Sequence, residues 1–195
     1  MTQKWRWLRC ALGVIMVSAW TGRDVLAQPP VPLRLTAFAV DMSNVGAGNT
    51  GTVDITISRW STDAERDKLL STFLERGPEK VLEAVQDAKP VGRVGGPGNV
   101  GWELRFARYQ PLPEGGSQIT LLTDRPIGFW EARNQPRTAE YPFTLIELRL
   151  KPGGTGEGKA SVATKITYNR NTKSLELENY TSEPIRLNNV KVQTR

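Results

Sequence analysis

Val53-Asp54-Ile55-Thr56-Ile57-Ser58-Arg59-Trp60-Ser61-Thr62 holds the change of period on which the fold turns. Val53, Ile55 and Ile57 alternate with Asp54, Thr56 and Ser58, the pattern of a half-buried strand that ends near Arg59-Trp60. At Ser61 the spacing becomes helical. Thr62 and Glu65 have the separation of a capping box, Leu69, Leu70, Phe73 and Leu74 lie on one stripe, and Gly77 can supply the left-handed residue that ends the helix. Pro78 suits the first turn of a second helix, whose Val81, Leu82 and Val85 face inward and which Pro90 stops. Two short helices, at about 62–89, are therefore expected between strands, packing on one face of a sheet or closing one end.

Working outward, Leu33, Leu35, Ala37 and Ala39 alternate with Arg34, Thr36, Phe38 and Val40, a strand covered on both faces, and a Gly/Asn turn follows at 46–51. Downstream of Trp102 the period-two pattern predicts strands at about 101–109, 118–124, 127–133, 142–151, 158–168, 173–180 and 185–193. Glu114-Gly115-Gly116, Pro152-Gly153-Gly154 and Asn169-Arg170-Asn171-Thr172 are the hairpin signals between them. Short strands joined by tight turns, with no helix–strand alternation, give a mainly β class. The expected architecture is an antiparallel β-barrel or β-sandwich of about nine strands with a two-helix insertion after the second strand. The longest irregular stretches are 91–101 and 134–140.

The N-terminus reads as an export signal. Lys4, Arg6 and Arg9 form a basic segment, an apolar run extends from Leu8 to Trp20, and Val25-Leu26-Ala27 offers a cleavage site before Gln28. The run has about 13 residues where a spanning helix needs roughly 20, so no membrane span is expected after cleavage. The organisation expected is a signal peptide at 1–27 and one β-rich domain at 28–195, secreted or periplasmic. Losing residues 1–27 removes four basic residues and one acidic one, which takes the formal net charge from +6 to +3. That mild charge, without a basic arm, gives no support for a nucleic-acid partner.

The chain has no histidine, and its single cysteine, Cys10, lies in the export segment. The commonest general base, the commonest metal ligand and the thiol nucleophile are thus all missing from 28–195. Stability there must come from packing and hydrogen bonds, since no disulfide is available. No catalytic residue, metal ligand or cofactor is assigned. Gly153 to Lys159 matches most of a phosphate-binding loop, but Ala160 stands where a magnesium-binding hydroxyl is needed. The residues that follow alternate like a strand, so a hairpin turn is expected. Gly95-Gly96-Pro97-Gly98-Asn99-Val100-Gly101 reads as a connector or as a mobile flap over a site.

Two clusters carry the candidate binding residues. On the strand from Trp102 to Tyr109, Trp102, Leu104, Phe106 and Arg108 share one face, and Glu103, Arg105, Ala107 and Tyr109 the other. Arg105 offers a bidentate fork and Tyr109 a phenolic donor to a polar ligand. In the second cluster, between Thr123 and Tyr141, Trp130, Glu131 and Tyr141 are the candidates; Phe129, Glu131 and Arg133 would share a strand face, with Trp130 opposite. For each cluster the alternative is a packed core with a solvated outer face. Glu103, Glu131 and Glu147, all on expected strands, keep carboxylate catalysis formally open.

Arg59-Trp60-Ser61-Thr62-Asp63, Thr123-Asp124-Arg125-Pro126-Ile127, Tyr141-Pro142-Phe143-Thr144-Leu145-Ile146-Glu147 and Gly156-Glu157-Gly158-Lys159 together resemble a set of uncharacterised secreted proteins predicted from environmental bacteria. The resemblance covers most of the chain after the signal and implies a bacterial exported domain, with no activity attached. In a bacterium the sequon Asn179-Tyr180-Thr181 is a chance match.

Barrels of about eight strands can enclose one ligand. The first functional expectation is therefore an exported β-domain binding a small apolar or amphipathic molecule near Trp102, Arg105, Tyr109, Trp130, Glu131 and Tyr141. The alternatives are a structural or protein-interaction domain that meets an envelope protein, and a histidine-free barrel isomerase, cyclase or carboxylate-dependent hydrolase.

Overall fold

Period-two alternation turns one face of each strand toward a common interior, and here that interior is enclosed all the way round. The structure, a computed structural model, describes residues 28–41, 50–77, 79–124, 143–162, 165–169, 174–178 and 185–193. In chain order the elements are β1 (Leu33–Val40), β2 (Thr50–Ile57), α1 (Asp63–Arg76), α2 (Glu79–Gln86), β3 (Gly92–Gly95), β4 (Trp102–Pro111), β5 (Ser117–Thr123), β6 (Thr144–Leu150), β7 (Thr155–Val162), β8 (Lys165–Asn169), β9 (Ser174–Glu178) and β10 (Ile185–Val192). Eight strands close an antiparallel barrel in the order β1-β10-β7-β6-β5-β4-β3-β2, and β8 pairs with β9 as a separate two-stranded ladder. Of the two architectures expected, the barrel is the one formed, with its helical insertion after the second strand as expected.

Closure depends on the shortest strand. β3 lies in the stretch expected to be irregular, because four residues containing two glycines carry no readable alternation. It nevertheless pairs with β2 from Asp54↔Gly95 to Ile57↔Gly92 and with β4 from Gly92↔Leu104 to Val94↔Trp102. Gly92 is required there, since a Cβ would collide with the Thr56 carbonyl. The expected strand at 158–168 is also two strands, β7 and β8, which belong to different sheets. Alternation runs unbroken from Ala160 to Tyr168, so nothing in the pattern marks the division. The expected strand at 127–133 lies outside the described residues.

The barrel interior is a packed aliphatic core. Leu35, Ile55, Leu104, Ile119, Leu121, Ile146, Leu148 and Val190 meet there, all essentially inaccessible to solvent. Leu33, Ile57 and Leu150 point inward at one end, whereas Ala37, Ala39, Val53, Ala160 and the buried Thr123 and Thr144 do so toward the other. Most of the small buried side chains gather toward that second end, where Leu187 and the partly buried Trp102 and Ile185 also pack. The large-residue end is closed by the Gly115-Gly116 and Gly153-Gly154 turns and by Trp60, whose indole N–H donates to the Pro29 carbonyl at 3.0 Å. The small-residue end carries every longer connection between barrel strands except the helical insertion.

β4 departs from simple alternation at Arg105. Leu104 pairs with Thr123 and Phe106 with Leu122, so Arg105 is an extra residue, a β-bulge. The bulge reverses the facing beyond it: Leu104 and Ala107 both enter the barrel core, while Phe106 turns outward. The expectation that Leu104 and Phe106 share a face is therefore corrected, and so is the pairing of Arg105 with Tyr109. Phe106 and its partner Leu122 form, with Phe143, the platform on which Leu69, Val81 and Val85 of the helices pack. Past the bulge, where β3 no longer pairs with β4, Ser61 takes up the free edge of β4. Its N–H donates to the Ala107 carbonyl at 2.8 Å, and the Ala107 N–H donates to Ser61 Oγ at 3.0 Å.

Two arginines hold the helical insertion at its ends. Arg59 makes a two-pronged ion pair with Glu65, both N–O distances being 2.9 Å, and also donates to the Lys89 carbonyl at 3.1 Å. Arg105 donates to the neighbouring Ala88 carbonyl at 3.0 Å. Glu65 also accepts from the Thr62 N–H at 2.8 Å, completing the capping box that the sequence predicted. The Arg59 guanidinium, and after it the Thr62 N–H, lowers the Glu65 carboxyl from its ordinary 4.5 to about 2.

Two outcomes follow from this packing. Phe106→Ala should cost about 3–5 kcal/mol in urea unfolding, and a loss below about 1 kcal/mol would show that the helices do not depend on this platform. Because the Glu65 carboxyl is depressed on folding, its contribution is complete above 4.5 and is lost as pH falls toward 2. Thermal melts between these pH values should therefore fall more steeply for the native sequence than for Glu65→Gln.

Candidate functional site

The outer wall of the barrel is where polar side chains gather with room beside them. On β2 the outward residues are Asp54 and Thr56, followed by Ser58; on β3 they are Arg93 and Gly95; on β4, Glu103. Register sets them in rows. Thr56, Arg93 and Glu103 lie side by side across three strands, and one row toward the small-residue end Asp54 stands opposite Gly95. Gly95 and the neighbouring Gly101 put no side chain on that row. A Cβ on Gly95 would come within 2.6 Å of the Gly101 Cα, and one on Gly101 would strike the Val94 carbonyl. The bare row floors a cleft of about 430 Å³, rimmed by Asp54, Arg93, Glu103, Asn99, Val100 and Pro90.

The wall on the β3–β4 side is the glycine-rich segment read as connector or flap. It forms a tight connection in which the Asn99 N–H donates to the Gly96 carbonyl at 3.1 Å, with Gly98 and Gly101 at φ of 75° and 67°. Val100, at its tip, is 75% exposed, the most open of the large hydrophobic residues described.

Charges in the cleft are unevenly satisfied. The Glu103 carboxylate lies 3.0 Å from Arg105, which also reaches Asp124 at 3.3 Å. Asp54 and Arg93 line the same cleft with no ion-pair or hydrogen-bond partner among the described residues. Asp54 is diagonal to Arg93 across the β2–β3 pair, a relation that separates Cβ atoms by up to about 7–8 Å. A ligand group between them can therefore meet both.

The residues proposed from sequence fall in different places. Trp102 points inward at the small-residue end, where it packs on the barrel core beside Val94. Tyr109 also packs on that core, at the opposite end of β4, with its ring 5.8 Å from that of Trp60. Seven residue steps along the strand separate the two, roughly 23 Å, so they do not line one pocket. Arg105 sits outside the barrel and is committed to Ala88, Glu103 and Asp124, its Nε buried without a partner among the described residues. Trp130, Glu131 and Tyr141 lie outside the described residues. Asp54, Thr56 and Arg93 were not singled out. Their signal was available as polar residues on the open face of β2 and an arginine just ahead of the glycine run.

Other chemistry considered from the sequence finds ordinary settings. Glu147 forms a 2.8 Å ion pair with Lys159 across β6 and β7. The partial phosphate-loop match is the β6–β7 hairpin: the Lys151 N–H donates to the Thr155 carbonyl at 2.7 Å, and β7 follows at once. Among the described residues no helix is long and apolar enough to cross a membrane, and no cluster of acidic residues is arranged to hold a metal ion.

The cleft floor gives a graded prediction. Gly98→Ala, at a left-handed position with open space around it, should cost about 1–2 kcal/mol in urea unfolding. Gly101→Ala should cost more, because the Val94 carbonyl must also move; equal costs would mean that the close crossing behind the cleft does not form. Compared with family models, with curated proteins and with solved structures, the chain matches none.

Proposed function

We propose that this chain is an exported binding domain that holds a small amphipathic molecule in the cleft on the outer wall of β2, β3 and β4. The observation that carries this reading is the pair of charges Asp54 and Arg93, without partners among the described residues, flanking a side-chain-free floor. Val100 and Pro90 supply apolar contact at the rim. Pockets that bind small molecules combine apolar contact with a few placed polar groups, and glycine lets a ligand approach the backbone. A site inside the barrel is the less favoured placement, because the core side chains occupy the interior. Export rests on the N-terminal segment at 1–27.

Native mass spectrometry of protein expressed from the full chain, after incubation with a cell-envelope extract, tests this reading. It predicts the added mass of one small molecule, lost on denaturation and at least tenfold less abundant on Arg93→Ala. An adduct that survives Arg93→Ala would place the ligand elsewhere. A bare mass would favour the alternative of a domain that meets another envelope protein.

A further inference from the structure

We infer that the ligand of the cleft is a zwitterion of the α-amino acid type, its carboxylate on Arg93 and its ammonium on Asp54. This rests on the cleft being the binding site and names the chemistry it selects. Arg93 is flanked in register by the Thr56 hydroxyl and by Glu103. Glu103 is engaged by Arg105, whose two terminal nitrogens are themselves shared among Ala88, Glu103 and Asp124. The guanidinium of Arg93 is therefore the lining cation left to receive a carboxylate, which its planar fork matches. Asp54 is the lining anion left to receive a cation, one diagonal position away across the bare Gly95 row.

That short separation selects a ligand whose ammonium and carboxylate groups are bonded to one carbon atom. A monoanion would leave Asp54 facing it across the floor, and a simple amine would leave Arg93 in the same position. Two carboxylates in the lining, Asp54 and Glu103, disfavour phosphates and other polyanions. Among the described residues no aromatic side chain lines the cleft to stack on a sugar ring. The exposed Val100 on the rim gives an apolar side chain of the ligand a surface to cover.

The test is a deletion series read by isothermal titration on protein from the full chain: L-leucine, 4-methylpentanoate, which lacks the ammonium, and 3-methylbutylamine, which lacks the carboxylate. L-Leucine should bind at least tenfold more tightly than either. Asp54→Asn should erase the advantage of L-leucine over 4-methylpentanoate, and Arg93→Gln its advantage over the amine. Both substitutions lie on the barrel surface, and unchanged melting temperatures will show that the variants are folded. Equal or undetectable binding of all three probes overturns the zwitterion assignment. If the extract-derived adduct is still lost on Arg93→Ala, the cleft remains the site and only the ligand class falls; if that adduct survives, the cleft itself falls.

Discussion

The β-bulge at Arg105 is the constraint on which the rest of the molecule depends. One additional residue in β4 lets Leu104 and Ala107 both face the barrel axis and sends Phe106 to the outside. Without that change of phase, strict alternation would turn Phe106 into the barrel and away from the helical insertion. Ser61, the residue at which the chain leaves the strand pattern and enters the helices, exchanges two hydrogen bonds with the backbone of Ala107, on the edge of β4 beyond the end of β3. The extra side chain, Arg105, is then used to tie the exit of the helices to the wall through Ala88. One irregularity thus docks the insertion and places the arginine that engages Glu103 at the edge of the cleft.

Where the proposed site lies follows from how the barrel is filled. An eight-stranded barrel is wide enough either for its own side chains or for one small ligand, and here aliphatic side chains meet across the axis. The outer wall is divided by what covers it. Over β4 and β5 lie the helices, whereas over β3 the register brings two glycines together where side chains would otherwise project. Because those glycines are demanded by the close crossing of backbone, the open floor is built into barrel closure. The same four-residue strand that joins β2 to β4 therefore creates the concavity beside it.

Much of the fold was legible because its signals are local. The capping box at Thr62 and Glu65, the stop at Gly77, the two-glycine hairpins and the alternation of β1, β2, β5 and β6 each act within a few residues. β3 was not legible, since Gly92 and Gly95 are chosen by contacts with Thr56 and Gly101 on neighbouring strands. Nor was the bulge: Trp102 to Tyr109 alternates plausibly in sequence, and the extra residue becomes visible only against the register of β5. The candidate site was read in part. The glycine-rich segment reads in sequence as a connector or as a flap over a site, whereas Arg105 and Tyr109, the candidates beside it, are committed elsewhere by the tertiary packing. Arg93 and Asp54 acquire meaning only when β2 and β3 are set side by side.

The most direct measurement is an NMR titration of L-leucine into the isotopically labelled protein, following backbone amides and aliphatic methyl groups together. The account predicts that shifts concentrate on amides of residues 54–58 and 92–101, while the methyl signals of Ile55, Leu121 and Ile146 inside the barrel stay in place. Shifts centred on those interior methyl groups, with the amides around Arg93 unmoved, would contradict it and return the site to the barrel interior.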